Sequence, residues 1–277
     1  MKRFLITASL FMMFAGPAIA QEGGPTPEER YELGLKFMRR GYYTKALEQF
    51  NRIRNYHRDH PVSVKAELAI AEMHFKQGDY EQARYAYEDF ARLHPRHEDL
   101  DLVTYKIGMS IWKRAPKAAG RDQTSTRRAV NTWTTFSSRF PDSVHGEEVD
   151  KYLIKARNRL ANKELFIARF YARREAWGAV RGRCDRLIKK YREAESVEDA
   201  LYLGGVAAHA WGDVAGAADY RSRLAEQYPD SRLVSRLDST LKTEAGRPPE
   251  TEIFTRPYRL GGAGTGAAGG LGQPGGR

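Results

Sequence analysis

A six-residue motif that recurs along the chain constrains the fold more than any other feature. Gly41-Tyr42-Tyr43-Thr44-Lys45-Ala46 is followed 37 residues later by Gly78-Asp79-Tyr80-Glu81-Gln82-Ala83, and Gly212-Asp213-Val214-Ala215-Gly216-Ala217 repeats the spacing near the other end. A period in the thirties with helical patterning predicts stacked helix pairs. The glycines can take the left-handed conformation that closes the first helix of a pair. Ala46, Ala83 and Ala217 are small enough to let two antiparallel helices approach to about 8–10 Å, while Phe50, Ile53, Tyr87 and Phe90 fill the seam. Pro61, Pro95, Pro141 and Pro229 cannot continue a helix and mark the step to the next pair. An ordinary, non-repeating helical bundle is the competing reading.

The fold class that follows is all-α, a tetratricopeptide-repeat solenoid of about five helix pairs over residues 31–245. The first pair is Tyr31–Arg40 with Thr44–Tyr56, and the second is Val62–Gln77 with Tyr80–Leu93. The third runs from Leu100 to about Arg114, with a partner starting near Ser125 that carries Ala129, Trp133 and Phe136. Ala83 and Ala129 are 46 residues apart rather than 37, so about nine residues are inserted between Lys113 and Thr124. Such insertions form loops on one face, and these loops often bind a partner. A helical pattern free of Pro and Gly from Gly146 to Trp177 predicts one long helix, followed by Gly178–Tyr191. Glu198–Ala210 with Val214–Gln227 is the fifth pair, and the polar Ser231–Leu241 is the C-terminal capping helix that covers the last apolar face.

The two ends differ from this pattern. Lys2 and Arg3, the apolar run Phe4 to Phe14 and Ala18-Ile19-Ala20 form a cleavable signal peptide over residues 1–20, cut after Ala20. The run is shorter than the roughly 20 residues that span a bilayer, so the sequence predicts a mature protein that is soluble or peripheral to the membrane. The net charge of +11 falls to +9 without Lys2 and Arg3, 44 basic against 35 acidic residues. Export excludes nucleic acid as partner and leaves acidic proteins, lipopolysaccharide phosphates or anionic lipid. Residues 21–30, with Pro25 and Pro27, read as a flexible lead. Residues 246–277 read as a disordered tail rich in Gly and Pro. Gly264 to Gly269 matches the dinucleotide G-x-G-x-x-G, but the strand and helix that mechanism needs are not predicted around it.

Catalytic chemistry has little to rest on. Cys184 is the single cysteine, so no intramolecular disulfide can form, and its seam position predicts a buried thiol. His57/His60 and His94/His97 fall at helix ends, where exposed histidines are a simpler reading than metal ligands. Asp99/Asp101 and Glu147/Glu148 flank helix starts, where carboxylates meet the macrodipole favourably. No nucleophile elbow, P-loop or H-E-x-x-H occurs in the sequence,. The sequence therefore predicts no enzyme, no cofactor and no metal, but a protein–protein scaffold whose concave surface takes extended peptides or partner domains.

Two further stretches carry more than the generic repeat. Leu93-His94-Pro95-Arg96-His97 with Asp101-x-Val103-x-Tyr105-x-x-Gly108, and Tyr171-x-x-Arg174-x-Ala176-Trp177-x-Ala179-Val180-x-x-Arg183, resemble the BamD family, tetratricopeptide subunits of the outer-membrane β-barrel assembly machine. Arg121-Asp122 in the inserted loop, with Arg127-x-Ala129 after it, fits the same family. The resemblance spans about Tyr31 to Tyr228. It implies a scaffold in the periplasm, at the inner face of the outer membrane, that docks on the periplasmic domains of the barrel-forming subunit BamA through its C-terminal repeats. It also implies N-terminal repeats that receive the targeting segments of unfolded outer-membrane proteins. Arg183 matches the family arginine that pairs with a BamA carboxylate, Arg174 and Trp177 belong to the same surface, and Arg121 and Asp122 complete the partner-binding set. Family members carry a lipid-anchored cysteine just after the signal, whereas this leader ends Ala18-Ile19-Ala20-Gln21 without a lipobox cysteine. Membrane association is then expected to be peripheral, through protein partners or a charged face. The alternative is a periplasmic tetratricopeptide adaptor of another envelope process, such as cell division or peptidoglycan-linked transport.

Overall fold

A computed structural model of the protein describes residues 24–246. The signal peptide with its cut after Ala20, and the tail with Gly264 to Gly269, lie outside the described residues. Among the described residues the chain is all helical: α1 (Pro27–Arg39), α2 (Tyr43–Tyr56), α3 (Pro61–Gln77), α4 (Tyr80–Leu93), α5 (Leu100–Arg114), α6 (Thr124–Arg139), α7 (Gly146–Ala172), α8 (Trp177–Lys190), α9 (Val197–Ala210), α10 (Val214–Gln227) and α11 (Arg232–Leu241). The first ten form five tetratricopeptide-type pairs, and α11 is the expected closing helix.

The recurring motif acts as its chemistry requires. Gly41, Gly78 and Gly212 adopt φ of 76°, 83° and 81°. Asp79 then caps α4 through the Gln82 amide, and Asp213 caps α10 through the Gly216 amide at 2.8 Å,. Ala46, Ala83 and Ala217 are buried in the seams. A second device emerges on the first helix of three pairs. A Cβ on Gly34, Gly108 or Gly204 would overlap the ring of Phe50, Trp133 or Tyr220 from the helix that follows. An aromatic ring thus occupies the space where a side chain would otherwise stand.

Two boundaries depart from the sequence reading. α1 starts at Pro27, inside the segment read as a flexible lead, because Thr26 and Glu29 form a reciprocal capping box and Pro27 occupies the first turn,. The long helix ends at Ala172 instead of reaching Trp177. Glu175 takes φ of 55°, and the amides of Arg174 and Ala176 both donate to the Tyr171 carbonyl, closing a tight turn.

Residues 31–245, read as one domain, divide into two compact units. The first comprises the described residues up to Pro116 with Thr124–Leu153. Its core joins Ala46, Phe50 and Ile53 to Ala66, Ile70 and Met73, and Ala83, Tyr87 and Phe90 to Val103. Trp133 stacks on Tyr152 with ring centres 5.6 Å apart. The second comprises Lys117–Gln123 and the described residues from Ile154 onward. It buries Val180, Cys184, Leu187, Leu201, Leu224 and Leu237. α11 is held in this unit by Leu237 against Gly205 and by a two-pronged Arg221–Asp238 ion pair at 2.8 and 3.1 Å,.

Candidate functional site

All five residues that the sequence assigns to partner binding fall in the second unit. Arg121 and Asp122 lie in the loop between α5 and α6, both exposed. Neighbouring Gln123 is fully buried and donates its side-chain amide to the Ala118 carbonyl at 2.9 Å, which fixes the loop from inside. Gly120 rests on the Phe166 ring of α7. One turn further along α7, the Arg174 guanidinium stacks 3.6 Å from the centre of Phe170 and donates to the Phe170 carbonyl at 3.2 Å,. Phe166 and Phe170, four residues apart, share a face of α7. The inserted loop and the α7–α8 turn therefore border one stripe, in which Phe166 is about half exposed.

Trp177 opens α8 just beyond this turn and is partly exposed. Trp211 covers the adjacent Gly178, and Arg181 pairs with Asp213 at 2.9 Å, so the α7–α8 and α9–α10 turns form one edge. Arg183 is placed differently. Six residues after Trp177, it stands about 120° around and about 9 Å along the helix from it. Its guanidinium donates to Glu164 of α7 at 3.0 Å, with 28% of the arginine side chain and 15% of the glutamate side chain exposed. Glu164 points about 200° around α7 from Phe166. The structure thus seats the inserted loop, through Gly120, on the α7 stripe whose next turn Arg174 stacks on, and sets Arg183 in an ion pair on another side of α7.

Cys184, next to Arg183, is buried, and burial together with the Asp185 charge pushes its thiol up to about 12,. It is a packing residue. The histidines are also accounted for locally: His60 caps α3 through the Val62 amide, and His94 Nε2 lies 2.7 Å from Glu67. No group of three or more metal-ligating side chains occurs among the described residues.

Two grooves were not anticipated from sequence. In the first unit a groove of about 560 Å³ is lined by Leu35, Met38, Leu68 and Leu102, with Lys65 and Lys106 and the carboxylates of Glu98 and Asp99 also in its lining. At its base Glu72 accepts from the Tyr87 hydroxyl at 2.7 Å and pairs with Lys106 at 3.4 Å, while Lys106 also lies 4.5 Å from the centre of Phe75. Burial and the Glu72 charge push the Tyr87 hydroxyl far above its ordinary value, keeping it a proton donor,. In the second unit a groove of about 580 Å³ carries Lys189, Arg192 and Arg223. The first combines residues from four helices and the second from three, which no local motif reveals.

Comparison with known proteins adds sequence-wide evidence. A profile of the YfiO family, described as outer membrane lipoprotein, matches residues 25–224. The outer membrane protein assembly factor BamD of Neisseria meningitidis serogroup A is 24% identical over 254 residues, covering 85% of this chain and 94% of that protein. BamD of Xylella fastidiosa strain 9a5c is 26% identical over 222 residues, covering 76% and 75%. Among solved structures, the TPR2AB-domain:pHSP90 complex of yeast Sti1 aligns at a TM-score of 0.41 and 15% identity, covering 79% of this chain and 84% of that one.

Proposed function

The chain belongs to the YfiO family of outer-membrane lipoproteins, and from that premise we propose that it is a periplasmic scaffold in the assembly of outer-membrane β-barrel proteins. Its task is binding rather than catalysis. The docking surface for BamA-like periplasmic domains is the face of the second unit bordered by the Arg121-Asp122 loop and the α7–α8 turn, with Trp177 at its edge. The observation that supports this reading most is the stacking of Arg174 on Phe170 beside the loop seated on Phe166. A guanidinium held flat on an aromatic ring keeps donors directed outward and suits a partner carboxylate. Arg183, on another face, is a separate contact made by exchange: a carboxylate on the partner takes up guanidinium donors now shared with Glu164.

The groove of the first unit receives the targeting segments of unfolded barrel proteins. Its leucines and Met38 take apolar side chains, and Lys65 offers charge to a terminal carboxylate, while Lys106 is engaged with Glu72,.

The test is affinity capture with the tagged mature protein from gently solubilised envelopes, run beside Arg174→Glu and Arg183→Glu. BamA recovered with the parent chain and lost with Arg174→Glu supports the assembly role. Recovery of a different envelope protein by all three versions, without BamA, would put the chain in another envelope process as an adaptor.

A further inference from the structure

The groove of the second unit, about 580 Å³, draws on three helices. Asp185, Ile188 and Lys189 fall within one stripe of α8, with Arg192 just beyond its end,. Arg223 and Gln227 share a stripe of α10, and Val197, the first residue of α9, completes the lining. The α8 stripe is centred about 190° around that helix from Arg183, so the groove is separate from the Arg183–Glu164 pair.

Three bases against one acid leave the lining with a formal charge of +2. Asp185 accepts from the Tyr220 hydroxyl, and Arg223 shares its guanidinium with Asp219 at 3.3 Å. Lys189 and Arg192 are exposed and have no acidic mate among the described residues. The other acids nearby in sequence do not supply one. Glu195 accepts from Asn158, Glu198 accepts from Ser231, and Asp199 pairs with Arg169. Exposed Glu193, Glu226 and Asp230 pair with none of the groove's cations among the described residues, and exposed Arg186, Lys190 and Arg232 offset their charge. Ser196, beside Val197, is 5% exposed, and its hydroxyl has no partner among the described residues. It leaves α9 without a side-chain cap, so an unused donor and the positive end of a helix dipole stand next to these cations,.

Ile188 and Val197 are buried, so the groove offers charge and little of the apolar surface that anchors a protein partner. A phosphomonoester carries about −1.5 to −2 charge and three acceptor oxygens. It matches both unmatched cations, whereas one carboxylate would leave a cation over. The volume lies within the roughly 300–1,000 Å³ of small-molecule sites and has room for a carrier besides the phosphate. We propose that this groove binds a phosphomonoester on a polar carrier, as in a sugar phosphate, either free or as the headgroup of a lipid. Lys189 and the guanidinium fork of Arg192 hold the phosphate, and Arg223 and Gln227 hold the carrier.

Two probes test this on the mature chain at about 0.15 M salt. One is calorimetric titration with glucose 1-phosphate; the other is sedimentation with phosphatidylcholine vesicles holding about 10% phosphatidic acid. Lys189→Gln/Arg192→Gln should weaken binding about tenfold or more. Arg192→Lys should lose less, because it keeps the charge without the fork. Arg54→Gln/Arg58→Gln removes two exposed bases of the first unit and should leave binding within about twofold. All these side chains are exposed, and thermal melts run alongside show that each variant is folded. Binding of glucose 1-phosphate alone supports a soluble ligand, and vesicle binding with the same dependence on Lys189 and Arg192 supports a lipid headgroup. Binding of neither probe overturns the proposal. An equal loss in the two double variants also overturns it, since general basic charge would then suffice. So does a hexaglutamate peptide that binds more tightly than either phosphate probe, which would give the groove to an acidic protein segment.

Discussion

Arg183 of α8 and Glu164 of α7 form a 3.0 Å ion pair in which both side chains are more than two-thirds buried. Reversing the arginine alone sets two carboxylates together in a partly desolvated seam. Arg183→Glu should therefore cost about 1–3 kcal/mol of stability, and Glu164→Arg/Arg183→Glu should recover most of it. Urea denaturation measures both. If the doubly reversed chain is stable yet fails to capture BamA, Arg183 contacts the partner; if capture returns with stability, its role is confined to the seam.

Gly108 and Gly182 predict opposite responses to the same substitution. A Cβ on Gly108 overlaps the indole of Trp133, whereas one on Gly182 meets nothing within 4 Å. Gly108→Ala should destabilise by about 1–3 kcal/mol through overpacking. Gly182→Ala should stabilise by about 0.5–1 kcal/mol through helix propensity. Thermal melts of the two variants should move in opposite directions.

A buried amide helps to hold the inserted loop, beside the Arg121 amide that donates to the same Ala118 carbonyl. Gln123→Ala leaves the Ala118 carbonyl without that donor and opens a void under the loop. A loss of about 1–3 kcal/mol is expected. Faster hydrogen exchange confined to residues 117–122 would show that this amide is what presents Arg121 and Asp122.

Alkaline stability should depend on Cys184. Its thiol is raised from 9.0 to about 12 by burial, so between those values the unfolded chain has lost a proton that the folded chain retains. Stability is full below about pH 9 and falls as pH rises toward 12, by up to about 1.4 kcal/mol per pH unit for this one group. Buried Tyr87, Tyr105 and Tyr220 are raised as well and add to the fall. Cys184→Ala should reduce the slope by one proton, read from denaturation at pH 9, 10 and 11.

The helix pairs were legible because their punctuation is local: a glycine with positive φ, an alanine five positions later, then large residues. The turn at Arg173–Ala176 was not, because Glu175 takes the left-handed conformation without the Gly or Asn that normally signals it, and packing around the turn overrides that preference. The start of α1 was legible in principle, since Thr26-Pro27-Glu28-Glu29 is a capping box, but two prolines nearby favoured an extended reading. Arg121, Arg174, Trp177 and Arg183 could be singled out by resemblance. Their grouping could not, because Phe166 as the seat of the loop and Glu164 as the mate of Arg183 depend on which way α7 is rotated. Gln123 gave no signal, as a buried glutamine looks like any loop glutamine until its acceptor is known.

The rings seated on Gly34, Gly108 and Gly204 bear on how the protein can respond to a load. Two helices joined along a smooth leucine seam can ratchet past each other by a turn, about 5.4 Å. A ring lodged in a notch in the opposing helix blocks that slide, because it would first have to climb out. Each keyed pair moves as one piece, and accommodation to a bound partner is left to the turns between them.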